Sequence, residues 1–171
     1  MKKTVLVFLA LAALIGGVLT QRWLMTQSLP ESAALSETAF PDLDGKPHLL
    51  SEWKAKVLIV NFWASWCPPC VEEMPEFSRL QAELGDKGVQ FVGILVDDEA
   101  DAARDFLKVR PMAYPILNGA IGGSQWALSL GNKAEVLPFS VVFDKGGKPV
   151  HVQMGKFGRE EVLRQVLPLL Q

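Results

Sequence analysis

Seven residues without a charge, Val57-Leu58-Ile59-Val60-Asn61-Phe62-Trp63, lead into Trp66-Cys67-Pro68-Pro69-Cys70, which holds both cysteines of the chain. The run is β-branched and aromatic enough for a buried strand, and the segment after Cys70 reads as a helix. The two cysteines therefore fall at a strand-to-helix turn, spaced so that a disulfide between them can be made and broken. A thiol at a helix N-terminus faces unpaired backbone N–H groups and the positive end of the helix dipole, which favour thiolate over thiol. Cys67 is the nucleophile on this reading.

Other uses of a Cys-x-x-Cys pair fail on countable points. Structural zinc wants four ligands, and the remaining candidates, His48 and His151, are isolated and far away in sequence. Covalent haem attachment needs histidine after the second cysteine, where Val71 stands. A disulfide closing so short a loop removes little entropy from the unfolded chain and staples weakly. Redox chemistry is the remaining reading, with no metal and no cofactor expected.

At 171 residues, 49% hydrophobic and 21% charged, the chain can form one well-cored domain and an appendage. The appendage is N-terminal. After Lys2 and Lys3, Thr4 to Thr20 is uncharged, about 25 Å of helix and near the lower limit for crossing a bilayer. No small-x-small cleavage signal follows, whereas Arg22 and Trp23 suit a membrane interface, so residues 1–25 read as a signal anchor in preference to a cleaved signal peptide. Lys2 and Lys3 stay cytoplasmic by the positive-inside rule. The expected location is the bacterial inner membrane with the catalytic domain in the periplasm, where disulfides persist; the alternative is a soluble periplasmic domain after cleavage. Without residues 1–25 the chain has 14 basic and 19 acidic residues, a formal charge of −5, which gives nucleic-acid binding no support. A monomer is expected.

Residues 26–38 read as a linker and 39–171 as the domain. Phe40 to Leu50 reads as a hairpin turned at Asp44-Gly45, and Ser51 to Ala55 as a connector. The helix after the cysteines is expected from Pro69 to Leu84, kinked at Pro75 and stopped by Gly85, with Phe77, Leu80 and Leu84 facing the core. Val89 to Val96 is a second buried strand, and Asp97-Asp98-Glu99 opens a helix over Ala100 to Val109 that Pro111 ends. A short strand is expected at Tyr114 to Leu117 and a short helix flanked by glycines at Gly122 to Leu130. The glycines of Asn118 to Ser124 are no phosphate loop, because no lysine follows at the required spacing. Ser140 to Phe143 and Val150 to Met154 form a hairpin, and Arg159 to Leu170 a final helix with a core-facing stripe. Together these predict an α/β fold with a mixed central sheet flanked by helices on both faces.

Asn61-Phe62-Trp63-Ala64-Ser65-Trp66-Cys67-Pro68-Pro69-Cys70 resembles the thioredoxin superfamily, most closely its membrane-anchored TlpA and ResA-type thiol-disulfide oxidoreductases. The resemblance covers most of residues 40–171, with Phe40 to Lys46 similar to an added N-terminal β-hairpin and Glu99 to Leu130 to a central insertion. It implies a thioredoxin fold, Cys67 as the exposed attacking thiol and Cys70 as the more buried resolving thiol. Pro75 matches the proline of the family's first helix. Pro138 matches the cis-proline that faces the two sulfurs, and Trp66, Pro68, Pro69 and Leu137 would border the substrate groove. The alternative for Pro138 is an ordinary trans turn proline. Phe139 departs from the small polar residue that often follows the cis-proline. Asn61 stands where thioredoxins proper carry a buried aspartate, and Glu73 matches a glutamate of the ResA-like branch that can exchange the Cys70 proton. For Glu73 the other reading is a first-turn carboxylate beside Glu72 and Glu76.

The resemblance implies a periplasmic reductase of protein disulfides, recharged by a transmembrane thiol reductant of the DsbD or CcdA type. Candidate substrates are apocytochrome c and copper-site assembly factors. Two alternatives stay open: a dithiol oxidase of exported proteins, and a copper metallochaperone using both thiols with His48 or His151 as a third ligand. A peroxiredoxin-like peroxidase lacks its threonine, since Ala64 occupies that position.

Overall fold

The structure, a computed structural model, describes residues 35, 39–53, 56–96 and 100–171. The expected anchor over 1–25, nearly all of the linker, and Asp97-Asp98-Glu99 lie outside the described residues.

The run before the cysteines is strand β3 (Val57–Trp63), and every one of its residues is buried. Its apolar character on both faces follows from its central place in the sheet. To one side it pairs in parallel with β4 (Val89–Leu95), from Val57 opposite Val89 to Trp63 opposite Leu95. To the other it pairs antiparallel with β6 (Phe139–Phe143). The short β5 (Ile116–Asn118) and β7 (Pro149–Met154) complete a five-stranded mixed sheet of order β5-β4-β3-β6-β7. A hairpin of β1 (Ala39–Pro41) and β2 (Pro47–Leu49) stands apart as its own two-stranded sheet. Its turn is held by the Asp42 carboxylate, which accepts from the N–H groups of Asp44 and Lys46, with Gly45 at φ +88.

Strand alternation divides the β3 side chains between two helical layers. Leu58, Val60 and Phe62 meet α3 (Ala120–Ser129), whose Trp126 lies 5.4 Å from Phe62 and stacks 6.1 Å from Phe143. Val57 and Ile59 meet α1 (Pro68–Leu84) through Phe77, Leu80 and Leu84, and α4 (Arg159–Val166) through Val162 and Val166. Helix α2 (Ala100–Val109) brings Ala103 and Phe106 to a third cluster around the cysteines. The α/β class, the mixed sheet, both helical layers and the added hairpin are all as the sequence indicates.

Helix α1 carries Pro75 within it and ends at Leu84 with Gly85 as its C-cap (φ −56), where the sequence places its end; the chain then turns at Gly88 (φ +93) after a 3-10 turn. The connector at Leu50–Trp53 is a 3-10 turn. The last helix gives way to a 3-10 turn at Leu167–Leu170, where Pro168 has no N–H to continue the ladder. Leu35, in the expected linker, donates its N–H to the Gly147 carbonyl at 3.0 Å and packs against the core.

Glycines flank α3, Gly119 as its N-cap and Gly131 after its C-cap Leu130, and Gly122 and Gly123 also lie within it. A Cβ at Gly119 would sit 2.5 Å from Ile94 Cγ2 and 2.9 Å from the Gly123 Cα, so a missing side chain is what lets α3 lie against β4. Gly119→Ala is expected to lower stability by about 1–3 kcal/mol through overpacking, read as a lower urea midpoint with an unchanged denaturant slope.

Candidate active site

The turn after β3 places Cys67 at the N-cap of α1 with extended backbone angles (φ −95, ψ 100). Pro68 and Pro69 occupy the first helical positions, where a missing N–H does least harm. The next two N–H groups, of Cys70 and Val71, both donate to the Cys67 carbonyl, at 3.1 and 3.2 Å. The unpaired N–H groups expected to face the Cys67 thiol are therefore not there: two are removed by proline and two are spent on the backbone.

Cys67 and Cys70 form a disulfide with S–S 2.00 Å and Cα–Cα 5.3 Å. In this oxidised form the expected contrast in exposure is small, with Cys67 at 4% and Cys70 at 0%. Trp63, Met74, Leu95 and Ala103 surround the pair, and Leu43 from the hairpin and Leu137 pack against it. The hairpin is held there by Arg104 of α2, which donates to the Leu43 carbonyl from Nε at 3.0 Å and Nη2 at 2.7 Å. The Leu137-Pro138 bond is cis, and Pro138 is buried. Phe139 turns into the core, 5.7 Å from Phe62, so its bulk does not enter the groove. Trp66 is 66% exposed, which rules out a packing role in the core; with exposed Pro68, half-buried Pro69 and half-buried Leu137 it belongs to the accessible surroundings of the disulfide.

Glu73 follows Cys70 by three residues and shares its buried helix face. Its neighbours turn outward, Glu72 to Lys156 and Glu76 to Arg79 and Arg159. Glu73 itself is only 6% exposed and its carboxylate is gripped from two other elements. Asn61 Nδ2 donates to Oε1 at 2.8 Å, and the Phe157 backbone N–H donates to Oε2 at 2.8 Å. The same Asn61 amide donates to Ser140 Oγ at 3.0 Å. Burial penalises the charged form and raises the Glu73 pKa to about 7, outweighing the two hydrogen bonds and the Lys156 charge, which pull it down. A surface carboxylate serving the helix dipole does not fit these facts. Nearby Tyr114 is held neutral, its phenol pushed up by burial and by the Glu73 charge.

The Asn61 amide was legible as the replacement for an aspartate, but its grip on Glu73 was not. Ser140 and the Phe157 N–H carry no sequence signal, being far along the chain from β3 and α1. Among the described residues, no group of three or more His, Cys, Asp or Glu side chains could hold a metal ion. His48 is engaged by Asp42 and Glu52 in the hairpin, and His151 lies on β7 beside Phe157, 5.6 Å between rings. Neither histidine belongs to the cluster around the cysteines.

A thioredoxin fold with a redox-capable Cys-x-x-Cys pair at the helix start and a cis-proline just before β6 defines a thiol-disulfide oxidoreductase. The Redoxin family model matches residues 26–167, and the chain belongs to that family. It is similar to the thiol-disulfide oxidoreductase ResA of Bacillus cereus, 30% identical over 136 residues that cover 74% of this chain and 73% of the relative. The ResA of a second Bacillus cereus strain is 28% identical over 168 residues, 96% of this chain and 95% of the relative. Among solved structures, a protein described as a putative thiol:disulfide interchange protein DsbE from Chlorobium tepidum superposes with a TM-score of 0.72 at 28% identity, covering 81% of this chain and 96% of that one. The chain is thus a TlpA/ResA-like member of the thioredoxin superfamily and an enzyme that exchanges thiols and disulfides with protein substrates.

Folded Glu73 titrates near 7 and its ordinary value is 4.5, so between those values the folded chain keeps a proton that the unfolded chain has lost. Its contribution to stability is complete below pH 4.5 and is lost as pH rises through 7, on the order of 3 kcal/mol in total. Glu73→Gln should flatten that slope in urea unfolding of the oxidised protein between pH 4 and 8. Asn61→Leu removes a donor to the carboxylate and should raise the Glu73 pKa further, measured by carbon NMR of its carboxyl group.

Proposed function

We propose that the protein works as a reductase, held at the bacterial inner membrane by residues 1–25 with its catalytic domain in the periplasm. The observation that carries the direction is the surroundings of Cys67. The Cys67 side chain makes no cap hydrogen bond to the helix, and the first-turn N–H groups are absent or spent. With only the helix dipole to favour it, the thiolate is modestly stabilised, and a reduced form that is not strongly stabilised gives its electrons up readily.

In the reaction, the Cys67 thiolate attacks one sulfur of a substrate disulfide, forming a mixed disulfide and releasing the other sulfur as a thiolate that takes a proton. Glu73, ionised about half the time near pH 7, accepts the Cys70 proton. The Cys70 thiolate then attacks Cys67 Sγ, the substrate leaves as a dithiol, and the enzyme retains the Cys67–Cys70 disulfide. Two electrons have passed to the substrate. Trp66, Pro68, Pro69 and Leu137 border the groove in which the substrate lies, and Pro138 shapes it. A transmembrane thiol reductant of the DsbD or CcdA type restores the dithiol. Apocytochrome c is one substrate class, in keeping with the ResA and DsbE relatives, and a copper-site assembly factor is another. The geometry gives the copper-carrying alternative no third ligand among the described residues.

The deciding measurement is the reduction potential of the Cys67–Cys70 couple in defined dithiothreitol or glutathione buffers. A value near about −270 mV is expected, whereas one near about −120 mV would reverse the direction to an oxidase. In addition, Cys70→Ser should accumulate a Cys67-linked mixed disulfide with substrate proteins, and Cys67→Ser should not, read by non-reducing electrophoresis.

A further inference from the structure

A cavity of about 200 Å³ opens between β3 and α3. Phe62, Val96, Leu128 and Leu137 give it apolar walls, Trp66 borders it next to Cys67, and Glu135 supplies a carboxylate. Two of these residues tie the cavity to the reaction: Trp66 directly precedes Cys67, and Leu137 directly precedes the cis-proline Pro138. A chain lying across the sulfurs therefore passes its mouth.

The segment that carries Glu135 is rigidly built. Asn132, 4% exposed, clamps it by donating from Nδ2 to the Val136 carbonyl at 3.0 Å and accepting the Val136 N–H on Oδ1 at 2.9 Å. The Glu135 N–H donates to the Asn132 carbonyl at 3.1 Å. Within this clamp Glu135 takes a left-handed conformation, φ +51, uncommon for a residue with a side chain. Carboxylates elsewhere near the site are paired, Glu72 with Lys156 and Glu76 with two arginines, but among the described residues no ion pair engages Glu135. An unpaired carboxylate at the rim of a cavity that has apolar walls and also Ser124 and Asn132 in its lining is complementary to a cation beside an apolar group.

We infer that this cavity is a substrate side-chain subsite, taking an apolar side chain next to the reacting cysteine of an extended polypeptide, with Glu135 selecting a neighbouring lysine or arginine. The volume suits one apolar side chain, and the ion pair forms at the exposed rim. Glu135 acts as a specificity-determining residue and takes no part in bond making. The inference rests on the reductase reading and adds the class of sequence it prefers.

The test uses two peptides, each with one cysteine held as a mixed disulfide with a small neutral thiol and followed by leucine and then arginine or glutamate. Full-length protein is regenerated with dithiothreitol after each turnover. Wild-type protein is expected to show kcat/KM about five- to tenfold higher for the arginine peptide at low salt, carried by KM, with the ratio shrinking as salt is added. Glu135→Lys should invert the ratio and Glu135→Gln should bring it near one. Ser124→Phe, which projects bulk into the cavity, should raise KM for both peptides. Equal kcat/KM for the two peptides, or a preference that survives Glu135→Gln, would overturn the subsite. Reduction of hydroxyethyl disulfide by the wild-type protein separates the two levels: if it is reduced while the peptides are not distinguished, the subsite alone is wrong. If it is not reduced, the reductase reading falls and the subsite with it.

Discussion

Burial of β3 on both faces is the constraint from which the site follows. A strand paired on one edge with β4 and on the other with β6, and covered by α3 on one face and α1 on the other, has no freedom to shift. A slip of one residue would exchange every side chain between the layers, moving Phe62 out of one cluster and Trp63 out of another. The register that satisfies both layers is also the one that delivers Cys67 at the start of α1. The reactive pair is thus positioned by packing several residues behind it.

The same strand reaches the buried carboxyl of Glu73. Asn61 lies within β3, opposite Gly93 on one side and Ser140 on the other, and its amide reaches the Glu73 carboxylate. Two opposing effects meet at that group. Burial raises its pKa and hydrogen bonds from Asn61 and Phe157 lower it, and burial wins, leaving the value near neutrality. Stronger donors would leave the group permanently charged; weaker ones would leave it permanently neutral. Near neutrality it can both take and return a proton.

Cys67 illustrates the opposite economy. A helix N-terminus ordinarily offers free N–H groups to an anion, but the Pro-Pro insertion removes two and the local turn consumes the next two. The thiol keeps the helix dipole and loses the donors, which is the structural basis for reading the couple as reducing. Around it, the hairpin's Leu43, held by Arg104 of α2, and Leu137 beside the cis-proline bury the disulfide without a charged partner among the residues of the cluster.

Much of this was legible in the amino-acid sequence because the signals are local. The apolar run of β3, the cysteine spacing, the Asp44-Gly45 turn and the apolar stripe of α4 each depend on residues a few positions apart, and each specified its element. Gly85 marked the end of α1 in the same local way, since the helix stops at Leu84 with Gly85 as its C-cap. What only the tertiary structure decided are the environments. Glu73 titrates near neutrality because the fold buries it, against the downward pull of an N–H from Phe157, 84 residues later, while Ser140, 79 residues after Asn61, shares the amide that holds it. Glu135 becomes the wall of a cavity because α3 closes against β3 and β4. Burial and hydrogen-bond partnership are properties of segments brought together from far apart, and no spacing along the chain encodes them.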